Sequence, residues 1–134
     1  MAVPLFSEYG ENMTIEALNQ EFTVCRVKSA EDLDLSAEFT FAAHTDGEFS
    51  LVCPTGTVPA HTIAREDGWR GMRITGTLDF SLIGILAKIT GILASAGIGI
   101  FAVSTYNTDY IFVKAENSDK SLTLLEGNGY AVIR

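Results

Sequence analysis

The sequence predicts an α+β fold in which helices cover one face of an antiparallel sheet. Three observations predict it. Residues 84–96 carry apolar side chains at the helical period. Strand-like runs stand on both sides of that stretch, and turn residues join them in pairs. From Trp69 onward the elements follow in the order β-α-β-β-α-β, the split βαβ or ferredoxin-like arrangement. The part before it reads β-α-β-β, the same beginning.

Taken along the chain, Glu21 to Lys28 (EFTVCRVK) is rich in Val, Phe and Thr and reads as a strand. Ser29 to Ser36 (SAEDLDLS) reads as a short helix capped by Ser29, with acids in its first turn. Glu38 to His44 and Glu48 to Cys53 are two strands around Thr45-Asp46-Gly47, and Asp-Gly between apolar runs signals a hairpin. Pro54 and Pro59 end regular structure, so that PTGTVPAHTIAREDG is a connector.

The second half is patterned more strongly. Trp69 to Leu78 alternates Met72, Ile74 and Leu78 against Arg73, Thr75 and Thr77. In the helix at Gly84 to Ala96, Ile85, Leu86, Ile89, Ile92, Leu93 and Ala96 share one face, and Gly97 suits the left-handed residue that ends it. Gly91 in mid-helix costs about 1 kcal/mol against Ala and suggests close packing there. Ile98 to Thr105 and Asp109 to Ala115 form a second hairpin around Tyr106-Asn107-Thr108. Ser118 caps a last helix with Leu122 and Leu125 inward, ended by Gly127 or Gly129, and YAVI closes the chain's pattern as a short strand.

The two hairpins, FTFAAHTDGEFSLVC and AVSTYNTDYIFVKA, align with similar apolar alternation. This implies a duplication in which residues 1–64 form a degenerate copy with eroded helices and residues 65–134 the fuller one.

Composition excludes several functions. The 134 residues are 47% hydrophobic with a formal net charge of -8. An acidic surface repels phosphate backbones and anionic lipid, so neither nucleic acid nor membrane is an expected partner. Residues 82–103 are long enough to span a bilayer, but Lys88 and four glycines interrupt them, and a helix followed by a strand explains them better. The N-terminal residues show no secretory pattern. Cys25 and Cys53 sit apart inside apolar runs, which fits buried thiols in a reducing, cytoplasmic setting. No set of residues has metal-ligand spacing, and no cofactor motif is present. His44 beside Asp46 reads as a hairpin residue bonded to its turn, since no nucleophile elbow accompanies it. No catalytic residue is therefore assigned.

Two constellations remain for ligand binding. Asp79-Phe80-Ser81-Leu82-Ile83-Gly84-Ile85 runs from a strand end into the strongest helix, whose first turn offers free N–H groups. A ligand carboxylate fits the amides of Gly84 and Ile85, and Asp79 suits an ammonium group. Asp79 or Ser81 equally serves as an ordinary cap, the commoner use of those residues. Ser104 to Tyr110 (STYNTDY) is a polar cluster within an apolar hairpin, or an ordinary turn made by Asn107 and Asp109. The hairpin turn is expected at the end of the sheet opposite the Asp79 loop. On that expectation the two meet only across an interface between units or subunits, or through the strand residues.

The stretch from Trp69 to Asn117, above all LDFSLIGIL and AGIGIFAVSTYNTDYIFV with the upstream GEFSLVCP, resembles an ACT domain. It is most similar to small proteins with paired ACT-like units, akin to aspartate kinase regulatory domains and cytosolic arginine sensors. The resemblance implies the β-α-β-β-α-β fold, binding of an amino acid between units and transmission of that binding to a partner. It also implies ligand roles for Gly84 and Ile85 at the helix start and for Thr105, Tyr106, Thr108 and Asp109 in the hairpin. The chain departs from the sensors at Thr108, where they carry an aromatic residue. The expected protein is a non-enzymatic, amino-acid-binding regulator forming a homodimer, with an unidentified protein partner. The alternative is an ACT-fold interaction or dimerisation module that has lost its ligand.

Overall fold

A computed structural model describes residues 13–76 and 84–134. Its strands are β1 (Met13–Val27), β2 (Phe41–Thr45), β3 (Glu48–Pro54), β4 (Ala64–Gly76), β5 (Ile100–Ser104), β6 (Asp109–Lys114) and β7 (Ala131–Ile133). Its helices are α1 (Ile85–Ser95) and α2 (Ser118–Gly127), with 3₁₀ turns at Ala30–Asp32, Thr55–Thr57 and Ala115–Asn117. The chain divides into two units, Met1–Asn19 with Arg70–Arg134, and Gln20–Trp69. β1 and β4 each contribute one stretch to each unit.

In the unit Gln20–Trp69 the strands lie in the order β2-β3-β1-β4. Numbered along the chain this is 4-1-3-2, the ferredoxin-like order, with 3₁₀ turns where helices would stand. β1 pairs antiparallel with β3 from Phe22↔Pro54 to Val27↔Phe49, and β2 with β3 from Phe41↔Val52 to Thr45↔Glu48. The predicted Asp46-Gly47 turn is present. Both residues have positive φ, +47° and +78°, which matches the twist of a two-residue hairpin.

Two expectations fail in this unit. The helix over 29–36 is only the three-residue turn Ala30–Asp32, and Ser29 makes no side-chain cap. With Leu33 alone packing inward and Leu35 63% exposed, the segment has too little apolar surface to hold a helix on the sheet. The connector reading also fails at its end, because Ala64 to Gly68 belong to β4. Arg65, Glu66 and Asp67 read as loop residues, yet charge suits a strand that forms the edge of its unit. Asp67 anchors this edge. Its Oδ1 accepts from the fully buried Thr23 hydroxyl at 2.7 Å and from Arg65 Nε and Nη2 at 3.1 and 2.9 Å. Those bonds, Thr23 first, hold its carboxyl below the usual range.

Cys25 and Cys53 are both buried free thiols, as expected. Cys25 packs with Val27 and Leu51 at the core of this unit. Burial, more than any neighbour, pushes both thiols up, Cys53 to about 11. In the folded protein both are expected to resist alkylation by iodoacetamide at neutral pH and to react readily in denaturant, because the thiolate is the nucleophile. Equal rates in the two states would contradict the burial. A thiol whose folded value lies above the unfolded value of 9.0 adds stability below that value and loses it as pH rises through about 11. The urea midpoint should fall over that window.

In the other unit the described strands lie in the order β7-β1-β4-β6-β5. The sheet predicted from Trp69 onward is there, but a fifth strand enters it. The first part of β1 lies between β4 and β7, and β7 pairs with it in parallel from Thr14↔Ala131 to Glu16↔Ile133. Met13 and Ile15 therefore join a core built from Met72 and Ile74 on β4 and Ile111 and Val113 on β6. α1 contributes Ile89 and Leu93, buried, with Ile85, Leu86, Ile92 and Ala96 packed against them, the face predicted from the period. α2 contributes Leu122 and Leu125.

α1 stops where Gly97 takes φ +77°. The Gly97 N–H donates to Ala94 O and the Ile98 N–H to Leu93 O, the two bonds of a Schellman end. α2 differs slightly from expectation. Ser118 is its first residue, and Asn117 precedes it without a side-chain cap. Among the described residues nothing lies within 4 Å of a Cβ placed on Gly91, so none of them makes the close approach suggested by that glycine. The apolar segment 82–103 contains α1 and part of β5, a helix followed by a strand, and among the described residues no helix is long and apolar enough to cross a membrane.

Candidate functional site

The β5–β6 hairpin is regular from Ile100↔Val113 to Ser104↔Asp109, and its turn is closed by threonines. The Thr105 N–H donates to Thr108 O at 2.8 Å and the Thr105 hydroxyl to the same oxygen at 3.0 Å. The Thr108 N–H returns to Thr105 Oγ1 at 3.3 Å. On the facing pair the Ser104 hydroxyl donates to Asp109 Oδ1 at 2.6 Å. Tyr106, at the tip, is 86% exposed.

One bond ties this turn to the rest of its unit. The Thr108 hydroxyl donates to the carbonyl of Ile74, near the end of β4. The start of β6 therefore lies beside the end of β4, and since the two strands are neighbours in the sheet, β6 must run back along β4, antiparallel to it. Since β5 is also antiparallel to β6, β4 and β5 point the same way. The hairpin turn and the exit of β4 thus share one end of the sheet. This corrects the expectation that they occupy opposite ends, which overlooked that the crossover from β4 to β5 joins parallel strands. An interface is not needed to bring the hairpin to the end of β4.

Of the predicted residues, Asp79 and Ser81 lie outside the described residues. Gly84 opens α1 with φ +80° and accepts the Lys88 N–H at 2.9 Å. It is exposed, a Cβ there would meet none of the described residues within 4 Å, and the first turn of α1 contains no acidic residue. Ile85 is half-buried against the core, so only its backbone is a candidate for ligand contact. Thr105, Thr108 and Asp109 come together in one turn, joined by Ser104 and by the Ile74 carbonyl.

A second polar group escaped the sequence reading. Arg73 Nε lies 2.6 Å from Glu16 Oε1, both about one-third exposed. Glu16 first, and Tyr110 second, push the guanidinium further toward its charged form. The alternation around Arg73 was legible, but its partner sits in residues 13–20, whose Ala, Leu, Asn and Gln do not read as a strand. Among the described residues no group of three or more His, Cys, Asp or Glu is placed to hold a metal. His44 stacks on Phe49 at 4.1 Å.

The fold and this turn define an α+β protein of two ferredoxin-like units, one with helices and one without. Residues 64–127 match the model of the ACT domain family. Among solved structures it is similar to a protein of Agrobacterium tumefaciens, with 26% identity, a TM-score of 0.80 and coverage of 91% of this chain and 92% of that one. It is also similar to a protein of unknown function from Vibrio cholerae, with 20% identity, a TM-score of 0.71 and coverage of 95% and 98%. The fold extends to the regulatory subunit of aspartate kinase from Thermus thermophilus, with 11% identity, a TM-score of 0.59 and coverage of 84% and 95%. Among curated proteins none matches the chain.

Proposed function

We propose that this chain is a cytoplasmic regulatory protein that binds a small molecule, an amino acid, and catalyses no reaction. It acts as a symmetric homodimer and signals to a protein partner. The observation that carries the reading is the bond from the Thr108 hydroxyl to the Ile74 carbonyl, which joins the polar hairpin to the strand leading toward Gly84. An amino acid needs N–H donors for its carboxylate and an acceptor for its ammonium group. The opening amides of α1, at Gly84 and Ile85, suit the first need, and Asp109 suits the second. Asp79, Ser81, Thr105, Tyr106 and Thr108 complete the proposed contacts.

The test is a thermal-shift screen with the twenty amino acids, followed by calorimetry. A ligand at about a hundred times its dissociation constant should add roughly 2.7 kcal/mol. Asp109→Asn keeps the shape and removes the charge, so it should weaken binding by about 1.5–3 kcal/mol with little loss of stability. Equal binding by wild type and variant moves the site elsewhere. One observation favours the alternative of an interaction module without ligand. Asp109 already accepts from Ser104, and Thr105 and Thr108 bond each other, so the turn is satisfied by its own residues. If no amino acid shifts the melting temperature, that reading replaces the first.

A further inference from the structure

We propose that the free edge of β2 is where a partner protein docks, by adding an extended segment with basic side chains at both ends as a further strand. This rests on the protein partner in the reading above, and on neither its amino acid nor its dimer. β2 ends the strand order of its unit, and among the described strands it pairs with β3 alone. Its hydrogen-bond phase follows from the turn. Thr45 and Glu48 flank the two-residue Asp46-Gly47 loop and form a bonded pair, so Ala43–Ser50 and Phe41–Val52 are the next bonded pairs. The N–H and C=O groups of Ala42 and His44 therefore point away from β3.

Outward amides and carbonyls are a template for another strand, and edges are commonly blunted by charge, proline or short length. The edge that β4 presents in the unit Gln20–Trp69 carries Arg65, Glu66 and Asp67, and β7 has only three residues. β2 (FAAHT) contains neither charge nor proline, and Ala42, Ala43, His44 and Thr45 are all exposed. The two alanines stand on opposite faces and leave room for the longer side chains of a neighbouring strand. The approach to β2 is also costly as it stands. Phe39 has φ +60°, an unfavourable angle for an aromatic residue, and the buried Thr40 Oγ1 has no hydrogen-bond partner among the described residues. Costs of this kind gather at binding segments.

Charge decides which strand fits. Glu38 stands ahead of β2 and Asp46 and Glu48 beyond it, all three exposed, so both ends of the edge are acidic. A second copy brings the same acids in a chain of net charge -8 and is repelled. A segment with Lys or Arg at each end and β-branched residues between them meets an acid at each end. Its main chain supplies the affinity, and its charges supply the selection. The edge of β5 offers no such selection, because residues 96–108 contain no charged side chain.

The test is fluorescence anisotropy with two labelled synthetic peptides, KKVTVTVKK and the same strand with Glu in place of every Lys. Wild type should bind the basic peptide at least about tenfold more tightly than the acidic one, and the difference should shrink in about 0.5 M salt. Ala42→Pro removes a donor that points away from β3. It should weaken the basic peptide at least about tenfold and leave the β2–β3 ladder and the circular dichroism spectrum intact. Glu38→Gln, Asp46→Asn and Glu48→Gln combined should weaken it about fivefold or more, and Asn at 46 keeps a residue that tolerates φ +47°. Equal binding by wild type and Ala42→Pro overturns the docking edge, as does a wild type that binds neither peptide up to about 1 mM. Equal affinity for the two peptides overturns the basic partner. If sedimentation shows instead that Ala42→Pro dissociates a dimer, the edge joins copies of this chain and the proposal falls. The amino-acid screen decides the ligand reading whichever of these results is found.

Discussion

Replacing Leu93 by alanine is expected to lower the unfolding free energy by about 2–5 kcal/mol, measured by urea denaturation. Leu93 is fully buried on the inward face of α1, in one cluster with Ile89, Ile98, Leu122 and Leu125. Truncation removes its apolar surface from the core and leaves a cavity. The surrounding side chains come from both helices and the sheet and can close it only partly. The backbone bond from the Ile98 N–H to Leu93 O survives the substitution, so the loss reports packing and not the helix end. A drop of that size is a large fraction of the roughly 5–15 kcal/mol that holds a domain folded. Leu35→Ala is the matching control, because Leu35 is 63% exposed and should change little. A Leu93→Ala loss below about 1 kcal/mol would mean that α1 does not seal this core.

Gly84→Val is expected to abolish amino-acid binding and to destabilise the protein by about 1–2 kcal/mol. The two effects have separate origins. Gly84 has φ +80°, a conformation that costs a β-branched residue energy even though a Cβ would meet none of the described residues within 4 Å. The added side chain also stands over the opening amides of α1, where the ligand carboxylate is proposed to sit. Gly84→Asn separates the two. Asn tolerates left-handed angles and is a good helix N-cap, so stability should be kept or raised. Its side chain competes for the same amides, so binding should still weaken. Calorimetry on both variants checks this, and full affinity in Gly84→Asn would exclude the helix start from the site.

Legibility in the sequence followed how local each signal was. The apolar face of α1 could be listed residue by residue, because a 3.6-residue period needs no knowledge of what lies across from it. Asp46-Gly47 and Gly97 were readable for the same reason, since each answers a backbone angle at its own position. Residues 13–20 were not readable. Met13 and Ile15 alternate with Thr14 and Glu16, but Leu18, Asn19 and Gln20 blur the pattern, and only the neighbouring β4 and β7 make it a strand. Ala64 to Asp67 hid their strand behind charges that an edge accommodates and a loop would also carry. Of the candidate site, the polar residues of the hairpin were visible as a departure from an apolar run. Ser104 as the partner of Asp109, and Ile74 as the partner of Thr108, were not, because each contact depends on strand register or on a neighbour more than thirty residues away.

The sequence by itself determined the α+β class, the order of elements from Trp69 onward, the core face of α1, both hairpins and the burial of the two thiols. All of these follow from periodicity and turn chemistry within a few residues. Only the tertiary structure decided that the first unit completes a four-stranded ferredoxin-like order without α-helices and that the stretch ahead of Gln20 enters the other unit's sheet. It alone decided that the hairpin turn lies at the exit of β4. Strand neighbours and directions are set by hydrogen bonds between segments far apart in the chain. A strand carries the same alternation whichever partner it takes, so its own residues do not record that choice.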